Sequence, residues 1–167
     1  MSHFTWSSTV ADAVGKSNSG DNLFCNESNK VSVNGSEAIY YALSIEEWRY
    51  LFSYGDYDNA TRRGKYKWAT VNGVNGYVIA PDGFEGTLAD SYADDAALAA
   101  DNLVFLPAAG YRNDSSVYYV GDNGNYWSSS ANGESYAYSV FFDSSLVGPG
   151  RSRRYSVYSV RLITDVK

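Results

Sequence analysis

The last third of the chain, residues 106–167, consists of short runs in which apolar and polar residues alternate, broken by glycine, asparagine, aspartate and proline. In residues 138–143 a period of two divides the side chains between two faces: Tyr138, Val140 and Phe142 on one, and Ser139, Phe141 and Asp143 on the other. This period is typical of strands and not of an amphipathic helix. The stretch is therefore predicted to form a meander of short strands, with the first set in the core and Phe141 exposed.

Tyrosine is abundant, with 16 residues beside 15 glycines, and only 19% of the chain is charged. Tyrosine mixed with serine, glycine and asparagine is typical of recognition loops, because it offers a large contact area at low entropic cost. A β-rich protein with many turns is the alternative, since tyrosine also favours strands. The tyrosines lie among asparagine, glycine and serine rather than only among valine and isoleucine, which favours recognition.

Length and charge narrow the classes of function. A chain of 167 residues is predicted to form one domain with a core of its own. The formal net charge of −6 argues against nucleic acid or an anionic membrane surface as the main partner. No run of about 18 apolar residues occurs, so no membrane insertion is predicted.

The residues that catalysis needs are missing from the sequence. His3, the only histidine, lies at the start of the chain, and Cys25, the only cysteine, has no histidine to activate it. Ser128, Ser129 and Ser130 lack the surrounding glycines of a nucleophile elbow. The chain is therefore predicted not to be an enzyme and to need no cofactor.

Two helices are predicted. The first begins at Ser44, which forms an S-x-x-E capping box with Glu47, while Leu43 and Trp48 have the spacing of a hydrophobic staple. Gly55 is a plausible end for this helix. The second is a short helix within the alanine-rich residues 90–102.

Turn residues predict two hairpins before the last third. Residues 30–33 and 39–43 flank Asn34-Gly35, and residues 66–71 and 77–80 flank a segment that contains Asn72-Gly73 and Asn75-Gly76. A strand at residues 103–106 is predicted to end before Pro107.

Four segments carry a resemblance to a known family: LSIEEWRYLF at 43–52, LPAAGYR at 106–112, VGDNGNYWSSS at 120–130 and SVRL at 159–162. In combination they resemble C-type-lectin-fold proteins of gut Bacteroidetes and their phages. These include the Fibrobacter succinogenes major paralogous domains and the variable proteins of diversity-generating retroelements. The resemblance implies an α+β C-type lectin fold with two helices packed on a twisted, mostly antiparallel sheet. It also implies one domain over 1–167, with N-terminal strands and loops at 1–38 and a variable binding region at 106–167.

In the resembling family, a retroelement copies a template into the 3′ end of the gene and mutates adenines. The resemblance implies a hypervariable surface that displays ligand-binding residues. It also implies a protein or glycan receptor on a cell surface, a location outside the cell on a virion or cell surface, and a possible oligomer. By resemblance, the variable positions are Tyr118, Tyr119, Asn123, Asn125, Asn132, Gly133, Glu134, Ser135, Ser139, Phe141, Asp143, Ser145, Leu146, Gly148, Gly150, Arg151, Ser152, Arg153, Tyr155 and Ser156.

Two other functions stay open. One is a non-diversified adhesin or surface-binding module of the same fold. The other is a relative of the formylglycine-generating enzymes and related oxidases, but those use metal-binding cysteines or an iron-binding histidine set that this chain lacks. Calcium-dependent sugar binding is not expected, because Trp127 is followed by serines and no Glu-Pro-Asn motif occurs. No metal is predicted.

Two structural expectations follow. Trp48 and Trp127 should be buried in a common core. A set of anchor residues should lie together on one exposed surface with Ser139 and Asp143, since tyrosine and arginine are enriched at interface hot spots. The anchors are Tyr118, Tyr119, Phe141, Arg151, Arg153 and Tyr155.

Overall fold

The computed structural model of the protein describes residues 3–4, 30–33, 36–39, 41–52, 65–113 and 115–163. These residues form an α+β structure that is mostly β-sheet and has two short helices, α1 (Ile45–Leu51) and α2 (Asp95–Ala99). The strands are β1 (His3–Phe4), β2 (Lys30–Val33), β3 (Ser36–Ile39), β4 (Tyr41–Ala42), β5 (Tyr66–Val71), β6 (Val74–Ile79), β7 (Ser91–Tyr92), β8 (Val104–Pro107), β9 (Tyr111–Asn113), β10 (Ser116–Tyr118), β11 (Asn123–Asn132), β12 (Tyr136–Asp143), β13 (Val147–Arg153), β14 (Tyr158–Ser159) and β15 (Leu162–Ile163). No helix in these ranges is long and apolar enough to cross a membrane.

Two larger sheets dominate the described structure. One has five strands in the order β1-β14-β11-β12-β13, and the other has four in the order β7-β5-β6-β8. Both are antiparallel except for the pairs β11–β14 and β5–β7. The expectation that both helices pack on one sheet is wrong: α1 lies against β11, β12 and β13, whereas α2 lies against β7 and β8 of the other sheet.

The five-stranded sheet joins the two ends of the described chain. His3 pairs with Ser159, and Phe4 pairs with Tyr158, so β1 and β14 run side by side. Near the same end of the chain, β15 pairs with β4, which immediately precedes α1. The C-terminal segment therefore pairs with β1 and β4 of the N-terminal part of the chain.

The capping box predicted for α1 is confirmed. Glu47 N donates to Ser44 Oγ at 3.2 Å, and Ser44 N donates to Glu47 Oε2 at 2.6 Å. The two groups thus satisfy backbone donors that a helix start leaves without partners. Ile45 N also donates to Ser130 Oγ at 3.0 Å, which fixes the start of the helix to β11. Gly55, the predicted end, lies outside the described residues.

The hairpin of β5 and β6 turns at Asn72 and Gly73, whose φ values of 49° and 76° are the positive angles that a tight hairpin requires. Asn75 and Gly76, predicted to be part of the turn, instead lie within β6. Gly76 is needed there for another reason: a Cβ atom would collide with the backbone carbonyl of Leu106 on β8. The turn predicted at Asn34-Gly35 lies outside the described residues, although the flanking strands β2 and β3 do pair.

Helix α2 is shorter than the predicted segment 90–102. It begins after Asp94, whose Oδ1 accepts a bond of 3.0 Å from Ala97 N. The helix ends because Asn102 adopts a φ of 54° and Leu103 N bonds back to Leu98 O at 2.9 Å, which closes the last turn.

Phe142 lies at the centre of the larger core cluster and is fully buried. Its ring stacks on Tyr126 of β11 at 5.7 Å and meets the edge of Tyr77 of β6 at 5.3 Å. Phe52, at the end of α1, lies 6.4 Å away. Gly124 makes room for the ring, since a Cβ atom there would collide with it. One side chain therefore joins both larger sheets and the first helix.

Trp48 and Trp127 are both 1% exposed, as predicted, but they do not share a core. Trp48 packs beside Phe52 in the cluster around Phe142. Trp127 belongs to a separate cluster with Ala137, and its ring lies 4.7 Å from that of Tyr158. The physical reason is the period of a strand, because Trp127 follows the core residue Tyr126 and so faces the opposite side of the sheet.

We expect Phe142→Ala to lower the free energy of unfolding by about 3–5 kcal/mol, the usual cost of removing a buried aromatic ring. Phe141→Ala is the matched control, because the same side chain is removed one residue earlier from the opposite, partly exposed face. Urea unfolding at equilibrium measures both. Equal losses in the two variants would contradict the assignment of the core face.

Candidate functional site

The face of the five-stranded sheet opposite Phe142, here called the outer face, contains eight of the twenty predicted variable positions. Residues directly opposite each other on antiparallel strands share a face, so the pairing of β11, β12 and β13 defines it. Its residues are Asn123, Asn125, Trp127, Ala137, Ser139, Phe141, Asp143, Gly148, Gly150 and Ser152. Phe141, Asp143, Gly148, Gly150 and Ser152 are partly exposed there.

Ser139 and Asn125 were expected to be exposed, but they are 3% and 7% exposed. Both lie on central strands beside larger side chains: Ser139 is opposite Trp127, and Asn125 is opposite Phe141. The amide of Asn125 also donates to Asn123 Oδ1 at 3.0 Å. These two side chains are therefore screened from a partner by their neighbours, and their place in the predicted binding set is corrected.

Asp143 organises the turn between β12 and β13. Its Oδ1 accepts bonds from Ser145 N at 2.8 Å, from Ser145 Oγ at 2.7 Å and from Leu146 N at 3.0 Å. The hydroxyl bond from Ser145, followed by the backbone bond from the same residue, lowers the pKa of the Asp143 carboxyl. Asp143 and Ser145 thus hold the turn that presents Leu146, whose side chain is 51% exposed.

Three tyrosines, here called the tyrosine cluster, lie beside the outer face: Tyr111, Tyr118 and Tyr119. The ring of Tyr111 is 5.7 Å from that of Tyr118 and 5.9 Å from that of Tyr119. Tyr118 is 44% exposed and Tyr119 is 56% exposed. Exposed aromatic rings that are held against each other form a ready contact surface.

A continuous line of rings connects the tyrosine cluster to the outer face. Tyr111 meets Tyr158 at 6.2 Å, and Tyr158 lies against the buried Trp127. The hydroxyl of Tyr158 is 2.8 Å from Ser152 Oγ on β13. The tyrosine cluster is therefore packed, through Tyr158, against the buried side chain of Trp127.

The backbone that carries Tyr118 and Tyr119 is fixed at several points. Gly121 N donates to Ala108 O at 2.7 Å, and Asn75 Nδ2 donates to Gly121 O at 3.0 Å. Gly110, with a φ of 66°, packs so closely that a Cβ atom would collide with the carbonyl of Tyr118. The loop is thus preorganised, which reduces the entropy lost on binding.

Tyr119 has a φ of 58°, in the left-handed region that residues with a bulky side chain rarely adopt. Two backbone bonds of 3.1 Å, from Asp122 N and Asn123 N to Tyr119 O, hold it there. The strained conformation exposes an aromatic side chain to solvent, so burial in the core does not offset the strain.

Sequence reasoning missed three residues of this region. Tyr111 and Val120 were noted only as parts of the segments that carry the resemblance, and Val117 was not singled out. Val117 is 52% exposed and Val120 is 66% exposed, so four large apolar residues in succession face solvent. The signal was present in the sequence as a Val-Tyr-Tyr-Val run between Ser116 and Gly121.

Arg151 and Arg153 do not lie on the outer face, so the expectation of one exposed surface is wrong. They are opposite Tyr138 and Tyr136, on the side of β12 that carries Phe142. The structure still leaves both arginines exposed. Tyr155, 70% exposed, lies 6.0 Å from the guanidinium of Arg153. The register of β13 divides the predicted set, because alternate residues of a strand face opposite sides.

The hairpin between β11 and β12 holds four more of the predicted positions: Asn132, Gly133, Glu134 and Ser135. The last three are exposed. Arg154 is buried behind this turn, where its Nη2 donates to Gly133 O at 2.6 Å and its backbone N donates to Ser135 O at 3.1 Å. Ser156 N bonds to Arg153 O at 2.9 Å just beyond it.

No metal site was expected. Among the residues that the structure describes, no group of three or more histidine, cysteine, aspartate or glutamate residues is placed to hold a metal ion. The side chains of His3 and Cys25 lie outside the described part of the chain. Independence from metals stays a prediction.

A family model with the description "Domain of unknown function (DUF8237)" matches residues 2–163. No curated protein and no solved structure matches the chain.

We expect Asp143→Ala to lower the melting temperature at neutral pH and to lose this effect in acid. The folded state lowers the pKa of Asp143 from its usual value of 3.8, so the carboxylate stabilises the fold fully above that value. The stabilisation disappears as the pH falls through the lowered pKa. Thermal melts of the wild type and the variant between about pH 7 and pH 2 measure the difference.

Ser145→Ala provides the control, because it removes the hydroxyl bond that lowers the pKa of Asp143 most. In this variant the pKa of Asp143, measured by NMR titration, should return towards its usual value. A difference in melting temperature that stays constant down to the lowest pH would contradict the assignment.

Proposed function

We propose that this chain, which belongs to the DUF8237 family, binds a protein or glycan receptor on a cell surface through the tyrosine cluster and the adjoining outer face. The observation that carries the proposal is the run of exposed apolar residues from Val117 to Val120. Soluble proteins rarely expose such a continuous patch unless it is used for contact. In this proposal the domain acts outside the cell, on a virion or a cell surface.

The chemistry of the patch supports recognition rather than catalysis. Tyr118 and Tyr119 offer large, rigid, amphipathic surfaces, and the small polar residues of the outer face adapt their hydrogen bonds to a partner. The loop is fixed by Ala108, Asn75 and Gly110, so a partner would meet a surface that is already ordered.

The backbone of Tyr119 gives independent support. A residue with a Cβ atom in the left-handed region costs about 1–2 kcal/mol relative to the usual helical one. Strain of this kind often occurs at ligand-binding positions. Glycine would relieve it, so a tyrosine at this position is best explained by what its side chain contacts.

We further propose that the chain adopts the C-type lectin fold that the resemblance implies. Support comes from α1, which begins at the capping box of the resembling segment, and from the mostly antiparallel sheets. The resemblance also implies framework residues between the variable positions: Tyr126, Trp127, Val140, Phe142, Val160 and Leu162. The first four are buried, and Val160 and Leu162 are partly exposed. A stable framework between exposed positions is what a diversified surface requires.

Diversification of the surface is part of the proposal. Glu134, Ser135 and Leu146 lie exposed in two turns, where many side chains are tolerated without loss of the core. The flanking DNA tests this directly. We expect a nearby reverse-transcriptase gene and a near-repeat of the 3′ end that differs only at adenines. Their absence would favour a non-diversified adhesin or surface-binding module.

Receptor binding is tested with the double variant Tyr118→Ala, Tyr119→Gly. The labelled protein, made tetravalent on streptavidin to gain avidity, is applied to an array of glycans and to panels of bacterial and epithelial cells. We expect wild-type binding to at least one target and a loss of about tenfold or more in the double variant, as for other interface hot spots.

Val104→Ala is the matched control, because Val104 is an exposed apolar residue of β8 outside the tyrosine cluster. It should bind like the wild type. The double variant should melt no lower than the wild type, since Tyr119→Gly removes backbone strain. Equal binding by wild type and double variant, or binding to none of the targets, would overturn the proposed function.

A further inference from the structure

Two arginines of β13 flank a single tyrosine ring on the face that also carries Phe142. The guanidinium carbons of Arg151 and Arg153 lie 5.7 Å and 5.6 Å from the ring centre of Tyr136. Both arginines are exposed. Arg153 also lies 6.0 Å from the ring of Tyr155. Arg151 and Arg153 are here called the arginine pair, and the rings hold their guanidinium groups in place by cation–π attraction.

Among the residues that the structure describes, neither arginine of the pair forms an ion pair. Within the described ranges, the ion pairs are Arg49 with Glu46 and Lys67 with Asp90, and neither includes an arginine of the pair. The chain as a whole carries a formal charge of −6. Two adjacent unpaired cations on an acidic protein therefore favour an anionic partner.

Arg154 holds the support of the arginine pair rigid. Its side chain is 4% exposed, and its Nε donates to Tyr136 O at 3.2 Å while its Nη2 donates to Gly133 O. These bonds join the end of β13 to the hairpin that begins β12. The backbone that carries the ring of Tyr136 is thus fixed before any partner arrives.

β13 is also the last strand of its sheet, and no described strand pairs with its outer side. Two backbone bonds bracket its ladder with β12: Asp143 N to Leu146 O, and Arg154 N to Ser135 O. Antiparallel ladders alternate between bonded and non-bonded pairs. The alternation between these two bonds directs the backbone N–H and C=O groups of Arg151 and the N–H of Arg153 towards the open edge, whereas the C=O of Arg153 accepts a bond from Ser156 N.

Pro149 agrees with this assignment. By the same alternation it faces the open edge, which is the position where a strand tolerates proline because no N–H is needed for the ladder. On the open side, this proline also disfavours pairing of a further strand along the first half of β13. The usable edge is therefore the segment that contains the arginine pair.

We infer that this edge binds an extended acidic segment of a partner protein by strand addition, separately from the tyrosine cluster. The backbone of the segment pairs with the open N–H and C=O of Arg151 and the open N–H of Arg153. Side chains opposite the two arginines lie on the same face of the enlarged sheet and are two residues apart in the partner. Acidic residues at alternate positions thus meet the arginine pair.

The guanidinium group selects the carboxylate in this arrangement. Its planar fork donates two parallel hydrogen bonds to a carboxylate, which a lysine ammonium cannot do. The rings of Tyr136 and Tyr155 support the arginines from behind and do not compete for those donors. The proposal concerns a different surface from the receptor site, so either one can fail without the other.

The test uses a fluorescein-labelled peptide of the sequence Thr-Val-Glu-Val-Glu-Val-Thr and measures anisotropy with the full chain at low salt. We expect binding that weakens in about 0.5 M salt, because exposed charges are then screened. The same peptide with glutamine in place of glutamate should bind about tenfold more weakly or not at all.

Variants of the protein locate the site. Arg151→Gln with Arg153→Gln should abolish peptide binding. Lys65→Gln with Arg161→Gln removes the same formal charge from two other exposed positions and should leave binding unchanged. Tyr118→Ala with Tyr119→Gly should also leave it unchanged. Circular dichroism of each variant checks that the fold is retained.

Two peptides with N-methyl groups on alternate sets of amides test strand addition. One set faces β13 and the other faces solvent, so one peptide should lose binding and the other should keep it. Equal binding of both would indicate simple capture of an anion and would overturn the inference. It is also overturned if the wild type fails to bind the glutamate peptide, or if the two charge variants lose binding equally.

Discussion

Phe142 contacts strands of both larger sheets and the end of α1. The burial of its ring determines which residues of β11 and β12 lie on the outer face. Because its ring enters the core, Phe141 and Asp143 must face the other side of β12. Because Tyr126 of β11 stacks on Phe142, the next residue, Trp127, must also face the other side of the sheet. The outer face is therefore a consequence of the core.

The tyrosine cluster shows the same division between support and contact. Its exposed rings rest on Tyr158 and Trp127, while its backbone is bonded to Ala108 and Asn75. A loop with these attachments can keep Tyr119 in a left-handed conformation that an unattached loop would leave. The framework offsets the strain, and the exposed side chains provide the contact surface.

Local signals in the sequence were sufficient for several elements. The Ser44 and Glu47 pair predicted the start of α1, and Asn72-Gly73 predicted a hairpin, because these effects depend only on residues a few positions apart. The period of two in β12 correctly separated Phe142 from Phe141. Exposure of Tyr118 and Tyr119 was also predictable, since the run lies between turn residues.

Register between strands was not predictable. Nothing local indicates that Arg151 lies opposite Tyr138, or that Trp127 screens Ser139, because both depend on pairing across hairpins. The role of Asp143 was missed for a related reason: its bonds to Ser145 and Leu146 form only once the turn has its final shape. A surface residue read from sequence can thus be a contact residue, a turn residue or a buried neighbour.

The pairing of β1 with β14 constrains how the molecule reaches its native state. His3 and Ser159 are adjacent in the sheet but separated by almost the entire chain. Contacts between residues so far apart in sequence close large loops and slow folding. On the ribosome, the β5–β6 hairpin can form early, but the five-stranded sheet cannot be completed until β14 has emerged. Until then, the flank of β11 that receives β14 is unpaired, and during synthesis it is the part of the sheet most open to misassociation.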